Sequence, residues 1–438
     1  MQVLIYLASV ALVLGVLVFV HEFGHYAVAK LCGVRVEVFS LGFGKRLWGF
    51  RRGDTDYRIS LLPLGGYVKM AGENPMEQRT GDPGEFTSHP RWQRFLIAIA
   101  GPVMNIILAI LVLTGVYKFH HEYAAVERQP VNVFSVAPGS PAEKAGIRPG
   151  DRIVRIDDVQ NPTWGQAFIE FGLNPNQSVE VSIQRGGQIL NMKIVPEPKG
   201  PERMGDIGIR APEVIGTLDH GMPAEKAGIH PGDILLSVNG TQVQNTQEVQ
   251  EILKKGQGNP VQVVIWREGK EQSYTLTPFL DDIPSVGKIY RIGFSPFAVE
   301  RLPLAGAFTN AYEECKTNSL LIFKLLGKIV EQPRTSLRQM SGPIGITIIS
   351  GEAAERGFSY LMWVMALISL NLAVFNLLPI PILDGGLMLM LMIEGVMRRD
   401  INQQIKERVY QVAFVFLLVF AAVVIYNDLA KTLPGHVL

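Results

Sequence analysis

Residues 1–25 read MQVLIYLASVALVLGVLVFVHEFGH, and the fold turns on how this stretch ends. Residues 1–20 carry no charged side chain and are about as long as a helix that crosses a bilayer core. The stretch has neither a basic start nor a small-residue cleavage site, so it reads as a retained helix rather than a signal peptide. The helix then runs on into His21-Glu22-Phe23-Gly24-His25. Residues four apart share one helix face, so both imidazoles point the same way and can hold one metal ion. Glu22, beside the first histidine, is placed to act as general base toward water at that ion. Ionisable groups that continue an apolar helix are costly and mark function by default. The plain alternative is an interfacial helix end whose histidines touch lipid headgroups.

Three more stretches match the first: residues 95–117, 359–380 and 409–426. Trp92, Arg94 and Tyr117 suit the two interfaces of the second. Basic residues cluster between spans one and two (Lys30, Arg35, Lys45, Arg46, Arg51, Arg52, Arg58, Lys69, Arg79, Arg91) and between spans three and four (Arg398, Arg399, Lys406, Arg408). The positive-inside rule puts both connections in the cytoplasm and both termini outside, with the long segment between spans two and three also outside. With 47% apolar and 18% charged residues and a net charge of +1 over 438 residues, nothing points to nucleic acid. Cys32 and Cys315 are too few and too far apart for a disulfide framework or a cysteine–zinc site.

The outer segment contains a repeat. SPAEKAGIRPGDRIVRI from Ser140 recurs as MPAEKAGIHPGDILLSV from Met222, and VEVSIQRGGQ from Val179 recurs as VQVVIWREGK from Val261 at the same offset. Ser140, Pro141 and Glu143 spell an N-cap, a first-turn proline and a capping-box partner. Met222 replaces that serine, so the second copy's helix start is expected to be weaker. Both copies resemble PDZ domains in permuted strand order. That resemblance implies peptide binding by strand addition, with the loops from Gly205 and Arg291 cradling a C-terminal carboxylate; the alternative is a pair of spacers that hinder access.

Two histidines do not complete a catalytic zinc site, which has three protein ligands and an open position. Glu37 and Asp54 lie among strand-like and turn-like residues. A better third candidate is far off, in NLAVFNLLPIPILDGG (Asn371 to Gly386), an apolar span broken by prolines and ended by Asp384. Unwound backbone at membrane depth must line protein or water. Asp384 also suits the N-cap of the helix that follows, and from the residues alone both roles stay open.

HExxH at the end of one span and NxxPxPxLDG at the end of another resemble the paired signatures of the site-2 proteases, in their bacterial regulator-of-sigma-E form. GFGK (from Gly42), PLGGYVKM (from Pro63), AGPVMN (from Ala100) and SGPIGI (from Ser341) extend the resemblance over essentially the whole chain. It implies an intramembrane zinc metalloendopeptidase with Zn2+ on His21, His25 and Asp384, and Glu22 as the catalytic glutamate. Asn376 and Asn371 would hold substrate backbone, or else serve interhelical hydrogen bonds. The implied partners are a pre-trimmed single-pass membrane protein (an anti-sigma factor or a remnant signal peptide), membrane lipid, and a peptide C-terminus at a PDZ-like domain. The implied place is a bacterial inner membrane, active site toward the cytoplasm. Leu387 stands where relatives commonly carry histidine.

The expected fold is a multi-pass α-helical membrane protein with four transmembrane helices, a membrane-associated β-hairpin sheet and two α+β PDZ-like domains. The divisions are 1–121, 122–212, 213–298 and 299–438. Residues 34–70 alternate like hairpin strands, with strand pairing to an unwinding substrate implied by the family and a packing-only cytosolic hairpin the alternative. Residues 303–332 read as an amphipathic helix on the outer membrane surface.

Overall fold

A helix whose buried positions recur every three or four residues presents one stripe to its neighbours. In α1 (Gln2–Leu31) that stripe runs Val10, Val13, Leu17, His21, Gly24 and His25, so the imidazoles continue the inward face of the aliphatic residues. The computed structural model describes residues 2–73, 81–200, 203–243, 245–283, 287–331 and 342–432; Arg79 and Ser341 lie outside them. The chain forms two compact units, Met1–His120 with Arg301–Leu438, and His121–Glu300.

After α1 come two long strands, β1 (Val36–Arg52) and β2 (Thr55–Met70). They do not form a plain hairpin. Residues 36–41 pair on one side with 66–70 and on the other with 56–59, while 46–52 pair with 55–60. Bends at Gly42 (φ 88°), Gly44 (φ 87°) and Gly65 (φ 121°) allow this folding-over, which explains the glycines of GFGK and LGGY. One edge of the resulting sheet is the segment 66–70. α2 (Arg91–Phe119) follows, with Pro102 inside it. It crosses α1 closely at Gly24, where a Cβ would press on the Ala100 carbonyl and Met104. Small residues permit such approaches where lipid offers no hydrophobic drive between helices.

In the second unit each repeat copy has its own core, one around Ile153, Trp164, Phe171 and Ile183, the other around Leu235, Val249, Leu253 and Ile265. Burying each such side chain stabilises a water-exposed domain by about 1.5–3 kcal/mol. Copy one has α3 (Pro141–Lys144) and α4 (Trp164–Gly172), and copy two has α5 (Pro223–Lys226) and α6 (Thr246–Gly256). The Ser140 hydroxyl accepts the Glu143 N–H, whereas Met222 offers no cap. The second start keeps half the device, because Glu225 accepts the Gly221 N–H at 2.6 Å just as Glu143 accepts that of Gly139. The shared PGD aspartates do the same job in both copies. Asp151 accepts two N–H bonds from Arg185, and Asp233 two from Arg267. Burial works against the Asp151 charge, yet Arg185 and the Arg148 amide hold its pKa below the usual carboxylate range. Strand order closes each copy from opposite ends: Ser135–Val136 pairs with Ile209–Arg210, and Thr217–Leu218 with Phe294–Ser295.

The chain re-enters the first unit as α7 (Leu304–Glu331), then α8 (Pro343–Arg356), α9 (Phe358–Asn376), α10 (Asp384–Met397) and α11 (Gln403–Thr432). Among the described residues four helices, α1, α2, α9 and α11, are long and apolar enough to cross a membrane. α9 stops four residues short of the expected 380 because Pro379 cannot continue it. The amphipathic α7 is not laid apart from the bundle. Ala307, Ala311 and Cys315 pack on α2 and α9, and Glu314 accepts hydrogen bonds from Tyr117 (2.7 Å) and Trp363 (2.9 Å). Cys32 and Cys315 are free thiols.

Candidate metal centre

The buried stripe of α1 delivers His21 and His25 to one spot, each only 8% exposed. α10 delivers Asp384 to the same spot from the far end of the chain. Its carboxylate stands 3.2 Å from His21 Nε2 and 3.4 Å from His25 Nε2, and the two ring nitrogens are 3.3 Å apart. Among the described residues these three form the one group of histidine, cysteine and acidic side chains able to converge on a metal. Asp384 is the first residue of α10. Leu383 occupies the N-cap position and no side chain caps there, so the Asp384 carboxylate faces the histidines.

The backbone before Asp384 is specialised. Ile382 has φ 88°, a strained conformation for a β-branched residue and one that clusters at functional sites. Gly385 and Gly386 are needed because a Cβ would strike the carbonyls of Leu377 and Leu378 in one case and of Ile380 in the other. The unwound segment 377–383 thus folds back over the start of α10 and aims its acid inward.

The donors fit a metal. Ligand atoms on a tetrahedron with bonds of about 2.0–2.1 Å stand about 3.3–3.4 Å apart; the two ring nitrogens are 3.3 Å apart, and Asp384 presents Oδ2 to one at 3.2 Å and Oδ1 to the other at 3.4 Å. The Ile97 carbonyl accepts from His25 Nδ1 at 2.7 Å, so that ring's proton is on Nδ1 and Nε2 keeps its lone pair toward Asp384. Asp384 Oδ2 is buried without a hydrogen-bond donor. α2 makes room: a Cβ on Gly101 would collide with His25 Nε2 and Cε1 and with His21 Cε1.

Glu22 faces the same cavity of about 460 Å3, and its Oε2 accepts the Val68 N–H at 2.9 Å. Val68 lies on the sheet edge formed by 66–70. Two residues on, the Met70 N–H is taken by Glu73 at 3.1 Å. Asn376 ends α9 in the cavity wall, its Nδ2 3.3 Å from His21 Nε2. Asn371 sits on the exposed face of α9 and is not part of that wall. Leu387 lines it, packed on the cluster with Val34, Met70 and Phe86. A second cavity of about 940 Å3 adjoins through Met70, Glu73 and Asp384. Sequence reasoning missed Gly101, Asn105, Glu73 and the Val68 amide. Asn105 alone carried a signal, as a polar residue inside an apolar span.

Two imidazoles and a carboxylate as donors, with a glutamate beside them in the same cavity, make the arrangement of a metallopeptidase. The profile of peptidase family M50 matches residues 9–420, and the chain belongs to that family, the site-2 proteases. A Vibrio cholerae protein described as a putative zinc metalloprotease is 33% identical over 95% of this chain and 97% of its own. The regulator of sigma-E protease RseP of Escherichia coli K12 is 33% identical over 97% of this chain and 98% of its own. A regulator of sigma E protease of Salmonella typhimurium is 34% identical over the same shares.

Proposed function

We propose that this chain is a zinc-dependent intramembrane endopeptidase of an inner membrane, with His21, His25 and Asp384 as zinc ligands and Glu22 as the catalytic glutamate. The observation that carries the reading is the convergence of two imidazoles from α1 and a carboxylate from α10, one ligand atom of each within 4.8 Å of the others, beside Glu22. Bound zinc would supply Lewis acidity, polarising the scissile carbonyl and acidifying water. Glu22 takes the proton of the attacking water on a carboxylate oxygen and returns it to the leaving nitrogen. The Asn376 amide donates a hydrogen bond to substrate backbone at the same wall.

The substrate would be a single-pass membrane protein with its outer domain already removed. A peptide bond inside an intact helix is shielded, so the substrate must unwind, and an extended chain needs partners for its backbone. The edge 66–70 supplies them. Its Val68 and Met70 N–H groups, two residues apart, are held by Glu22 and Glu73, and substrate carbonyls would take both places. We read residues 122–212 and 213–298 as PDZ-like domains, a reading supported by the paired motifs, the separate cores and the strands that close each copy from opposite ends. They would filter or bind substrates on the extracytoplasmic side, where both chain termini also lie.

Cleavage of a trimmed and an untrimmed single-span substrate by wild type and by Glu22→Gln tests the reading. Wild type is expected to cut the trimmed form far faster, and Glu22→Gln to cut neither. Equal cleavage of the trimmed form by both proteins would refute the role of Glu22.

A further inference from the structure

Asn105 stands near the middle of α2, within the apolar stretch 95–117, and is 0% exposed. A buried amide in such a place is costly unless its polar groups find partners. Its backbone carbonyl accepts a 2.9 Å hydrogen bond from Ser369 of α9, itself 0% exposed. Its side-chain amide ends 3.3 Å from Nδ1 of His21, and its Oδ1 has no hydrogen-bond donor.

A half-turn about the last side-chain bond exchanges the amide oxygen and nitrogen, so the imidazole decides which faces it. If the NH2 group faced Nδ1, a neutral ring would carry its proton on Nε2. That atom, 3.2 Å from Asp384, would then have no lone pair for a metal. If the oxygen faces Nδ1, the proton sits there and Nε2 is free. His25 already has this arrangement through the Ile97 carbonyl.

We infer that Asn105 is a positioning residue for the metal centre: its Oδ1 accepts the Nδ1–H of His21, fixing tautomer and ring orientation as the Ile97 carbonyl does for His25. Ser369 holds the α2 backbone at that level, so a buried polar node joins α1, α2 and α9. The inference rests on the proposed role of His21 as a zinc ligand. Outer partners of metal-bound histidines typically change metal affinity by about 10–100-fold when removed.

The test measures zinc affinity of the purified full chain by competition with a chromophoric chelator, alongside its thermal melting without zinc. Aspartate can accept but not donate when ionised, so Asn105→Asp is expected to bind zinc within about threefold of wild type. Asn105→Ala is expected to bind about 10–100-fold more weakly with its zinc-free melting little changed. If that variant fails to fold, Asn105→Leu fills the volume without an acceptor and is expected to show the same loss. Wild-type affinity in the Ala or Leu variant, or equal weakening in the Asp and Ala variants, would overturn the inference while leaving the ligand set intact. Wild-type affinity in His21→Ala would overturn the ligand set and the inference together.

Discussion

At the scale of the residue, the metal centre depends on a side chain that is missing. A methyl group at Gly101 would occupy space held by both imidazoles, and neither ring can retreat while Ile97 and Asn105 hold its outer nitrogen. Gly101→Ala should therefore lower zinc affinity by about tenfold or more, as read by chelator competition. Gly115→Ala, on the same helix with open space around it, should not. Equal affinities would show that the rings adapt. The histidine pair and Glu22 were legible in the sequence because helical spacing alone puts two ligands on one face. Asp384 was legible only as one of two roles, since a cap and a ligand are both acids at a helix start. Gly101 was not legible, because a glycine in an apolar span reads equally well as a helix-crossing point.

At the scale of the element, the sheet edge 66–70 is occupied at rest. Its two inward amides are engaged by Glu22 and Glu73, so a substrate strand must displace a carboxylate to pair there. Removing Glu73 takes away one competitor. Glu73→Ala should lower KM for a trimmed substrate by about two- to tenfold, the worth of one hydrogen bond, with kcat nearly unchanged. A raised KM would mean that Glu73 supports the edge rather than blocking it. Alternation and glycines announced strands over residues 34–70, but not the folding-over that makes 66–70 an edge. That arrangement depends on residues 36–41 pairing on both sides, a long-range choice that local pattern does not encode. The α9 boundary is a simpler case, where Pro379 ended the helix before its apolar run did.

At the scale of the whole molecule, the second unit begins and ends on one strand pair, His121–Ala124 with Phe297–Glu300. Burial, reinforced by Arg128, pushes His121 down to about 4, while the Arg128 hydrogen bond holds Glu300 below its usual range. An unfolded histidine titrates near about 6.5. The folded state therefore favours the neutral ring, and its contribution to stability is complete above that pH and fades as pH falls toward 4. The Glu300 contribution is likewise present above its ordinary pKa and lost on further acidification. Hydrogen exchange corrected for intrinsic rate should show residues 121–124 and 297–300 losing protection as pH falls from about 6.5 to about 4. Unchanged protection would contradict the assignment. The repeat made both copies visible in the sequence, because the same PGD and hairpin residues recur at one offset. How each copy closes was hidden, since Ser135 meets Arg210 across most of a domain.

The central claim is that residues from the two ends of the chain hold one zinc ion. Zinc content of the purified full chain tests it most directly, in wild type, Glu22→Gln and Asp384→Ala. About one zinc per chain is expected in the first two and far less in the third. Wild type without zinc, or Asp384→Ala with a full complement, would contradict it.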